Sequence, residues 1–256
     1  MSRAIEKYNK GEKFLGSWLH TKSPVTLELM YYGGFDSVVL DMEHAPVSDT
    51  ELAGFINAAR ACGISSFTRA ASGSRENILH ALDMGTDAVI VPDIHSAAEV
   101  EKLVEYSKFA PVGKRGYCMV CANGWSRAEN HANGLESYFE WANANTKIIP
   151  QCETADALNC IEEIAAVKGL DGILIGPYDL SIDMGMPGQF DNPVFKAAIA
   201  RILKACKDNK LMSIIVAGNP EGARAYLDMG FDGVMYSTDT ALLYGAIADA
   251  VKQINL

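Results

Sequence analysis

The chain has 256 residues, of which 49% are apolar and 21% are charged, which is enough for one large core or two small ones. Its formal net charge of -10 argues against a nucleic-acid or anionic-membrane surface, because phosphate groups require a basic face. No amino-terminal run resembles a signal peptide, and no later run approaches the roughly 20 apolar residues of a membrane span. We therefore expect a single-domain, cytoplasmic protein that acts on small molecules, binding neither nucleic acid nor membrane.

Eight short apolar runs alternate with segments of helical periodicity along the chain. In chain order, the predicted strands are Phe14–His20, Ser37–Asp41, Ser65–Arg69, Ala88–Val91, Lys147–Gln151, Gly172–Ile175, Leu211–Val216 and Gly233–Tyr236. The predicted helices are Val25–Tyr32, Asp49–Cys62, Arg75–Met84, Ala97–Phe109, Ala155–Val167, Pro193–Asn209, Glu221–Met229 and Thr240–Ile254. Such alternation indicates a parallel sheet covered by helices, and eight units in about 250 residues are typical of a (β/α)8 TIM barrel. A doubly wound open sheet is the alternative, but no glycine fingerprint follows the first strand.

One short pattern recurs where a predicted helix leads into a strand. A glycine, one residue and an aspartate precede a β-branched run in Gly34–Val38, Gly85–Val89, Gly169–Ile173 and Gly230–Val234. The glycine is typical of the left-handed residue past a helix end, so each copy predicts a helix-to-strand turn. The connection after the fourth strand is longer than the others. It predicts an insertion near residues 110–146, with an extra helix at Leu135–Ala144, that serves as a lid or an intersubunit loop.

Ionisable residues cluster where predicted strands end. Asp41 ends the second strand and is followed by Glu43 and His44, and Arg69 ends the third. In a (β/α)8 barrel the catalytic groups gather at the carboxyl ends of the strands, so we expect these side chains on one rim. Asp41 and Glu43 are expected to support the site from a layer behind the substrate.

The fifth and sixth predicted strands also lead into acidic residues. Glu153 follows the fifth strand and Asp179 follows the sixth, while Gln151 lies on the same strand face as Glu153. Carboxylates at the rim of an apolar core are costly to bury, so two of them suggest a shared cation or a proton-transfer task. The alternative interpretation is an ion network of these acids with arginine.

The types of these residues favour one chemistry. Glu153 and Asp179 offer hard oxygen ligands that suit Mg²⁺ or Mn²⁺ better than zinc, and a metal there could stabilise the enolate of a 2-oxo acid. Arg69 could pair with the same developing charge. His44 is the natural proton carrier because its ordinary pKa is near 6.5. The other histidines lack such companions, and we expect surface or packing positions for His20, His80, His95 and His131.

Four motifs together resemble the HpcH/HpaI aldolase family. They are Gly11–Trp18, Gly34–Pro46, Gln151–Thr154 and Ile175–Ser181, in the family's order, and the likeness runs from about Gly11 to Ala250. The family contains metal-dependent class II aldolases that join or cleave pyruvate and an aldehyde, such as 4-hydroxy-2-oxoheptanedioate aldolase and 2-dehydro-3-deoxyglucarate aldolase. The resemblance thus implies a carbon-carbon lyase that splits a 4-hydroxy-2-oxo acid into pyruvate and an aldehyde.

The resemblance also implies roles for individual residues. Glu153 and Asp179 would bind Mg²⁺ or Mn²⁺, with Co²⁺ as a further option, while His44 accepts a proton and Arg69 holds the pyruvate oxygen. Asp83 would act on the histidine of a neighbouring subunit. Further substrate contacts are implied for Gln151, Gly176, Tyr178 and Asp179. Members are hexamers, built as trimers of dimers in which the last helix is exchanged between barrels.

The chain departs from the best-known members in two places that would face the aldehyde. Tyr178 stands where they have alanine or serine, and the stretch Lys114–Gly124 replaces one richer in glycine and alanine. The identity of the aldehyde therefore stays open. So do two other functions for the same scaffold: a Claisen-type carbon-carbon synthase, citrate-forming or related, and a non-catalytic sensor of 2-oxo acids.

Overall fold

Eight parallel strands close into a barrel in the computed structural model, which describes residues 3–254. Each strand pairs with its neighbours in chain order, and the last pairs with the first. The strands are β1 Phe14–Leu19, β2 Ser37–Asp41, β3 Ser65–Arg69, β4 Ala88–Val91, β5 Lys147–Cys152, β6 Gly172–Ile175, β7 Met212–Ala217 and β8 Gly233–Thr238. The predicted (β/α)8 barrel is confirmed, and the predicted strand ends differ from these by two residues at most.

One helix precedes β1, and at least one helix follows each strand on the outside of the barrel. The helices are α1 Arg3–Asn9, α2 Pro24–Tyr32, α3 Asp49–Cys62, α4 Arg75–Met84, α5 Ala97–Ser107, α6 Leu135–Asn145, α7 Ala155–Asn159, α8 Ile161–Ala165, α9 Pro177–Asp183, α10 Pro193–Asp208, α11 Pro220–Met229 and α12 Asp239–Ile254. The predicted helix at Ala155–Val167 is divided at Cys160 into α7 and α8. Two helices, α1 and α9, were not predicted, because each is only seven residues long and helical periodicity is recognised over about 11 to 18 residues.

The recurring aspartates fasten pairs of strands together. Each lies just before an even-numbered strand, and its carboxylate accepts a backbone N–H at the start of the preceding odd-numbered strand. The four contacts join Asp36 to Leu15 N at 3.0 Å, Asp87 to Ser66 N at 2.8 Å, Asp171 to Ile148 N at 2.9 Å and Asp232 to Ser213 N at 2.8 Å. The glycines of the four turns have φ between +88° and +112°, a region that other residues enter only at a cost. The motif therefore sets both the turn and the register of the strands.

The apolar core has an inner and an outer layer. The inner layer fills the barrel with side chains such as Phe14, Phe67 and Leu174, while the outer layer packs strands against helices. Ala4 and Ile5 of α1 belong to the inner layer, and Ala4 N donates to Ser65 Oγ at 2.7 Å. Because α1 covers the amino-terminal end of the barrel, the opposite rim is the one open to ligands.

The long connection between β4 and β5 contains α5, two single helical turns at Cys121–Ser126 and Glu129–His131, and α6. Phe109, Tyr138 and Ala142 form a small core of its own. Within residues 3–254, no helix is long and apolar enough to cross a membrane.

Replacing Asp232 with alanine tests the role of the recurring aspartates. Asp232 also accepts from Ser213 Oγ at 2.7 Å, so the change leaves a strand N–H without a partner. We expect the free energy of unfolding to fall by about 2 kcal/mol, the usual cost of a buried donor left unpaired. Urea denaturation measures the change. The matched variant Asp208→Ala, whose carboxylate pairs only with exposed Lys204 on α10, should have no measurable effect, and equal losses in both would contradict the assigned role.

Candidate active site at the carboxyl ends of the strands

A buried ion pair between neighbouring strands forms the base of the site. Asp41 and Arg69 end β2 and β3 and are register partners. The guanidinium donates twice to the carboxylate, with Nε to Oδ1 at 2.9 Å and Nη2 to Oδ2 at 2.7 Å. The guanidinium carbon lies 4.3 Å from the ring centroid of Trp18. This two-pronged contact and the stacking fix the plane of the guanidinium.

Asp41 gathers further donors around its carboxylate. His20 Nε2 lies 3.2 Å from Oδ2, and the backbone N–H groups of Glu43 and His44 donate to Oδ1 at 3.0 and 3.3 Å. Burial alone would raise the pKa of Asp41, but the hydrogen bonds from His20 and Arg69 outweigh it and hold that pKa well below its usual range. Asp41 is therefore a permanent anion that keeps Arg69 in place.

Glu43 and His44 continue from Asp41 toward solvent. Glu43 Oε2 lies 3.0 Å from Arg69 Nη1, and burial nevertheless raises the pKa of Glu43. The His44 side chain is 65% exposed, and its Nε2 is 3.7 Å from Glu43 Oε2. The imidazole is thus held loosely at the edge of the rim, with most of its surface free to meet another molecule.

Glu153 is the most deeply buried acid of the opposite half of the rim. Its Oε1 accepts the backbone N–H of Asp93 at 2.8 Å, and its Oε2 accepts from the side-chain amide of Gln151. Burial raises the pKa of Glu153, and the negative charges of Asp179 and Glu43 raise it further. A side chain at position 176 would collide with this pair, because a Cβ on Gly176 would lie 2.8 Å from Glu153 Oε2 and 2.9 Å from Gln151 Nε2. Glycine there leaves the Glu153 carboxylate uncovered.

Tyr178 and Asp179 lie in the first turn of α9, directly after β6, and both are exposed. Asp179 is close enough for its charge to act on both Glu153 and Glu43. A cavity of about 380 Å³ opens here. It is lined by Trp18, His20, Arg69, Gln151, Gly176, Pro177, Tyr178, Asp179, Val216, Ala217, Gly218, Ser237, Thr238 and Ala241. Of the expected site residues, five line this opening: Arg69, Gln151, Gly176, Tyr178 and Asp179. Glu153 lies behind the lining, where it accepts a hydrogen bond from Gln151, and Asp41 and Glu43 lie behind Arg69.

The donor set fits a hard divalent cation that keeps part of its hydration shell. Glu153 and Asp179 carry oxygen donors, and Gln151 Oε1 is buried with no hydrogen-bond partner among the described residues. Within residues 3–254, no three His, Cys, Asp or Glu side chains are placed to enclose a metal by themselves. Mg²⁺ is commonly bound through only one or two carboxylates, with its other positions left to water or substrate. Two carboxylates beside an open cavity match that pattern.

Asp83 lies elsewhere in the same chain. It is in the last turn of α4, and since α4 runs back against the strands, this turn is at the amino-terminal side of the barrel. Its Oδ1 accepts from Arg115 Nη2 at 2.8 Å, and Arg115 is buried. Within one subunit Asp83 therefore does not reach His44.

Sequence analysis missed several groups at the rim. His20 was expected at the surface or in packing, but it contacts Asp41, since β1 ends beside β2. His95 is at the surface, as expected, and its ring bridges Asp93 Oδ1 at 3.1 Å and Asp156 Oδ2 at 3.2 Å. Ser237 also lines the cavity. His20 follows β1 directly and Ser237 is near the end of β8, and these positions were the signal that could have assigned them to the rim.

Comparison with known proteins agrees with this architecture. The model of the HpcH/HpaI aldolase/citrate lyase family matches residues 15–246. A 2-dehydro-3,6-dideoxy-6-sulfogluconate aldolase from Pseudomonas putida is 34% identical over 90% of this chain and 88% of its own. A hydroxypyruvate/pyruvate aldolase from Pseudomonas aeruginosa is 31% identical over 97% of this chain and 91% of its own. The structure of citrate synthase SbnG superposes with a TM-score of 0.86 at 25% identity, covering 97% and 95% of the two chains.

The chain belongs to the HpcH/HpaI aldolase/citrate lyase family. It is a carbon-carbon lyase of the aldolase type, as the resemblance of the four motifs implied.

Replacing Asp41 with asparagine tests the base of the site. The change leaves the buried Arg69 charge without its main partner, so we expect the free energy of unfolding to fall by about 3 to 5 kcal/mol in denaturant titrations at pH 7. Because the folded-state pKa of Asp41 is lowered, the stabilisation is present above the unfolded pKa of about 3.9 and is lost as the pH falls below it. The difference between the two proteins should therefore shrink in acid.

The exposed pair of Asp191 with Lys196 supplies the control, since its Oδ1–Nζ distance of 2.8 Å matches the buried one. Asp191→Asn should leave the unfolding midpoint unchanged. A small effect of Asp41→Asn at pH 7 would contradict the assigned role of this pair.

Proposed function

We propose that the protein is a divalent-metal-dependent aldolase that reversibly cleaves a 4-hydroxy-2-oxo acid into pyruvate and an aldehyde. The observation that supports it most is that Asp179 and a buried, rigidly oriented Arg69 line one cavity, and that Glu153 is hydrogen-bonded to Gln151 of the same lining. Glu153 and Asp179 repel each other, and a divalent cation bound between them would remove that repulsion.

Glu153 and Asp179 would hold the metal, with Mg²⁺ or Mn²⁺ as the best matches to their oxygen donors and Co²⁺ as a third. Bound there, the ion supplies Lewis-acid stabilisation of negative charge on a 2-oxo acid. We expect Gln151 and the backbone around Gly176 and Tyr178 to orient the pyruvate carboxylate.

The remaining steps are assigned to residues of the chain. Arg69 donates to the pyruvate oxygen on which negative charge develops, and its fixed plane spares reorganisation during reaction. His44 moves the proton between substrate and solvent, since its imidazole is exposed at the rim and a histidine ring can both accept and donate a proton. Asp41 and Glu43 hold Arg69 and His44 from behind.

A neighbouring subunit is part of the proposal. Asp83 cannot meet His44 of its own chain, so it would approach the histidine of another. The last helix, α12, leaves Leu243, Tyr244, Ile247 and Val251 more than half exposed, which supports its exchange between barrels in a hexamer built as a trimer of dimers. All six cysteines are free thiols, in keeping with a reducing cytoplasm.

The experiment that tests this function offers pyruvate with a panel of aldehydes and Mg²⁺ or Mn²⁺. We expect carbon-carbon bond formation that is lost in excess EDTA and restored by added metal. Glu153→Gln should lower Mn²⁺ affinity and activity by at least about a hundredfold, as loss of one charged ligand predicts. Glu162→Gln, which alters an exposed acid paired with Arg201 on α10, should change neither. Full activity in EDTA would rule the proposal out.

Mixing two inactive variants tests the shared site. His44→Ala and Asp83→Ala should each lose about 10² to 10⁴ in turnover, the usual contribution of general acid-base groups. Hybrid oligomers formed from equal amounts should regain about a quarter of the wild-type activity, because that share of sites draws both intact residues from different chains.

The control mixture combines His44→Ala with Glu153→Gln. These two residues belong to the same site of one chain, so every site in this mixture lacks one of them. No activity should therefore return. Recovery in both mixtures, or in neither, would contradict the sharing of Asp83.

A second candidate is a Claisen-type carbon-carbon synthase, which the similarity to citrate synthase SbnG favours. It would use the same enolate-stabilising groups with a different electrophile. Incubation with oxaloacetate and acetyl-CoA separates the two, since the aldolase should form no citrate. A non-catalytic 2-oxo acid sensor should show no exchange of pyruvate methyl protons with solvent deuterium, whereas the aldolase should.

A further inference from the structure

The cavity has two chemically different ends. Arg69, Gln151 and Asp179 line the end near β3, β5 and β6, which the proposed function gives to pyruvate and the metal. The other end lies beside β7 and β8, where Tyr178, Gly218 and Ser237 line it. The aldehyde must therefore occupy this second end, and its lining sets which aldehyde fits.

Tyr178 reaches across the mouth of this second end. Its ring packs edge-on against Phe190, with centroids 4.9 Å apart and planes at 87°. Its hydroxyl lies 3.5 Å from where a Cβ on Gly218 would be, an ordinary contact distance, so the hydroxyl reaches the end of β7. The hydroxyl makes no hydrogen bond to any described residue, and Ser181 Oγ donates to the backbone carbonyl of Tyr178 rather than to the ring hydroxyl. The Tyr178 hydroxyl, whose ring is held by Phe190, is thus free to hydrogen-bond a ligand in the cavity.

Ser237 supplies a second free hydroxyl from the end of β8. Its φ is +54°, a left-handed conformation that costs a residue with a side chain free energy. Its carbonyl accepts from Ser17 Oγ at 3.3 Å, but its own hydroxyl has no partner among residues 3–254. The neighbouring Thr238 differs, since its hydroxyl oxygen accepts the backbone N–H of Ala241 at 3.1 Å, in the first turn of α12. Of these two residues, only Ser237 is left with a free hydroxyl.

No free positive charge lines this end. Arg69 is the one lysine or arginine among the described lining residues, and Asp41 and Glu43 already pair with it. The His20 ring is hydrogen-bonded to Asp41, and the Asp179 carboxylate adds negative charge to the cavity. An aldehyde with a distal carboxylate or sulfonate would thus enter without a cation to compensate it, which is unfavourable.

We propose that the aldehyde partner is short, uncharged and hydroxylated, with its hydroxyl groups bound by Tyr178 and Ser237. This inference rests on the proposed function, which assigns the other end of the cavity to pyruvate. At about 380 Å³ the cavity is at the small end of ligand pockets, so it admits an aldehyde of about two to four carbons beside pyruvate. The specificity then differs from that named for the Pseudomonas putida relative, whose substrate carries a sulfo group.

The test compares three aldehydes of similar length with pyruvate and Mn²⁺: glyceraldehyde, propanal and succinic semialdehyde. We expect kcat/KM for glyceraldehyde to exceed that for propanal by about tenfold or more, as two added hydrogen bonds predict. The semialdehyde should be the poorest of the three. Its preference over glyceraldehyde would overturn the inference.

Single substitutions locate the discrimination. Tyr178→Phe and Ser237→Gly should each reduce the glyceraldehyde-to-propanal ratio about fivefold. Glycine is chosen at position 237 because it removes the hydroxyl and suits the left-handed backbone, so the fold is kept. Tyr32→Phe, which alters an exposed tyrosine at the far end of α2, should leave the ratio unchanged. An unchanged ratio in both cavity variants would overturn the inference.

Exchange of the pyruvate methyl protons in D₂O, measured without any aldehyde, tests the proposed function separately from the inference about the aldehyde. If exchange occurs but propanal or the semialdehyde is preferred, the inference about the aldehyde is wrong and the proposed function stands. If no exchange occurs with Mn²⁺ present, the proposed function fails and the inference fails with it.

Discussion

The buried pair of Asp41 and Arg69 is the constraint on which the site depends. A guanidinium at the end of an apolar strand is tolerable only with a carboxylate in register beside it, and β2 and β3 supply that partner directly. Once the pair is set, His20, Glu43 and Trp18 find their positions around it. The rim thus holds a rigidly oriented guanidinium, paired with Asp41 and Glu43, before any ligand binds.

The opposite half of the rim has the reverse character. Glu153 is buried and forms no ion pair with a cation of residues 3–254, and the negative charges of Asp179 and Glu43 raise its pKa further. Gly176 keeps this carboxylate open, where any side chain would cover it. A guanidinium of fixed orientation opposite a pair of acids is suited to hold a 2-oxo acid and a divalent ion between them.

Much of this could be predicted from the sequence. The strands are short, apolar and evenly spaced, and the recurring aspartates mark the turns, so the closed barrel followed from local patterns. The strand ends then placed Asp41, Arg69, Glu153 and Asp179 on one rim without further information. Family likeness added Asp83, which no spacing could expose, because its proposed target belongs to another chain.

Other features depend on contacts that no local pattern contains. His20 approaches Asp41 only because β1 and β2 are adjacent in the closed sheet, and the left-handed backbone of Ser237 is imposed where β8 meets β1. The position of the Tyr178 ring at the cavity is set by its contact with Phe190, twelve residues later in the chain.

The central claim is that pyruvate binds where a divalent metal joins Glu153 and Asp179 beside Arg69. Titration calorimetry of pyruvate into the protein, with Mn²⁺ and again with EDTA, tests it most directly. The account predicts that removing the metal weakens pyruvate binding by at least about tenfold, as the loss of a direct ligand requires. Equal affinity under the two conditions would contradict it.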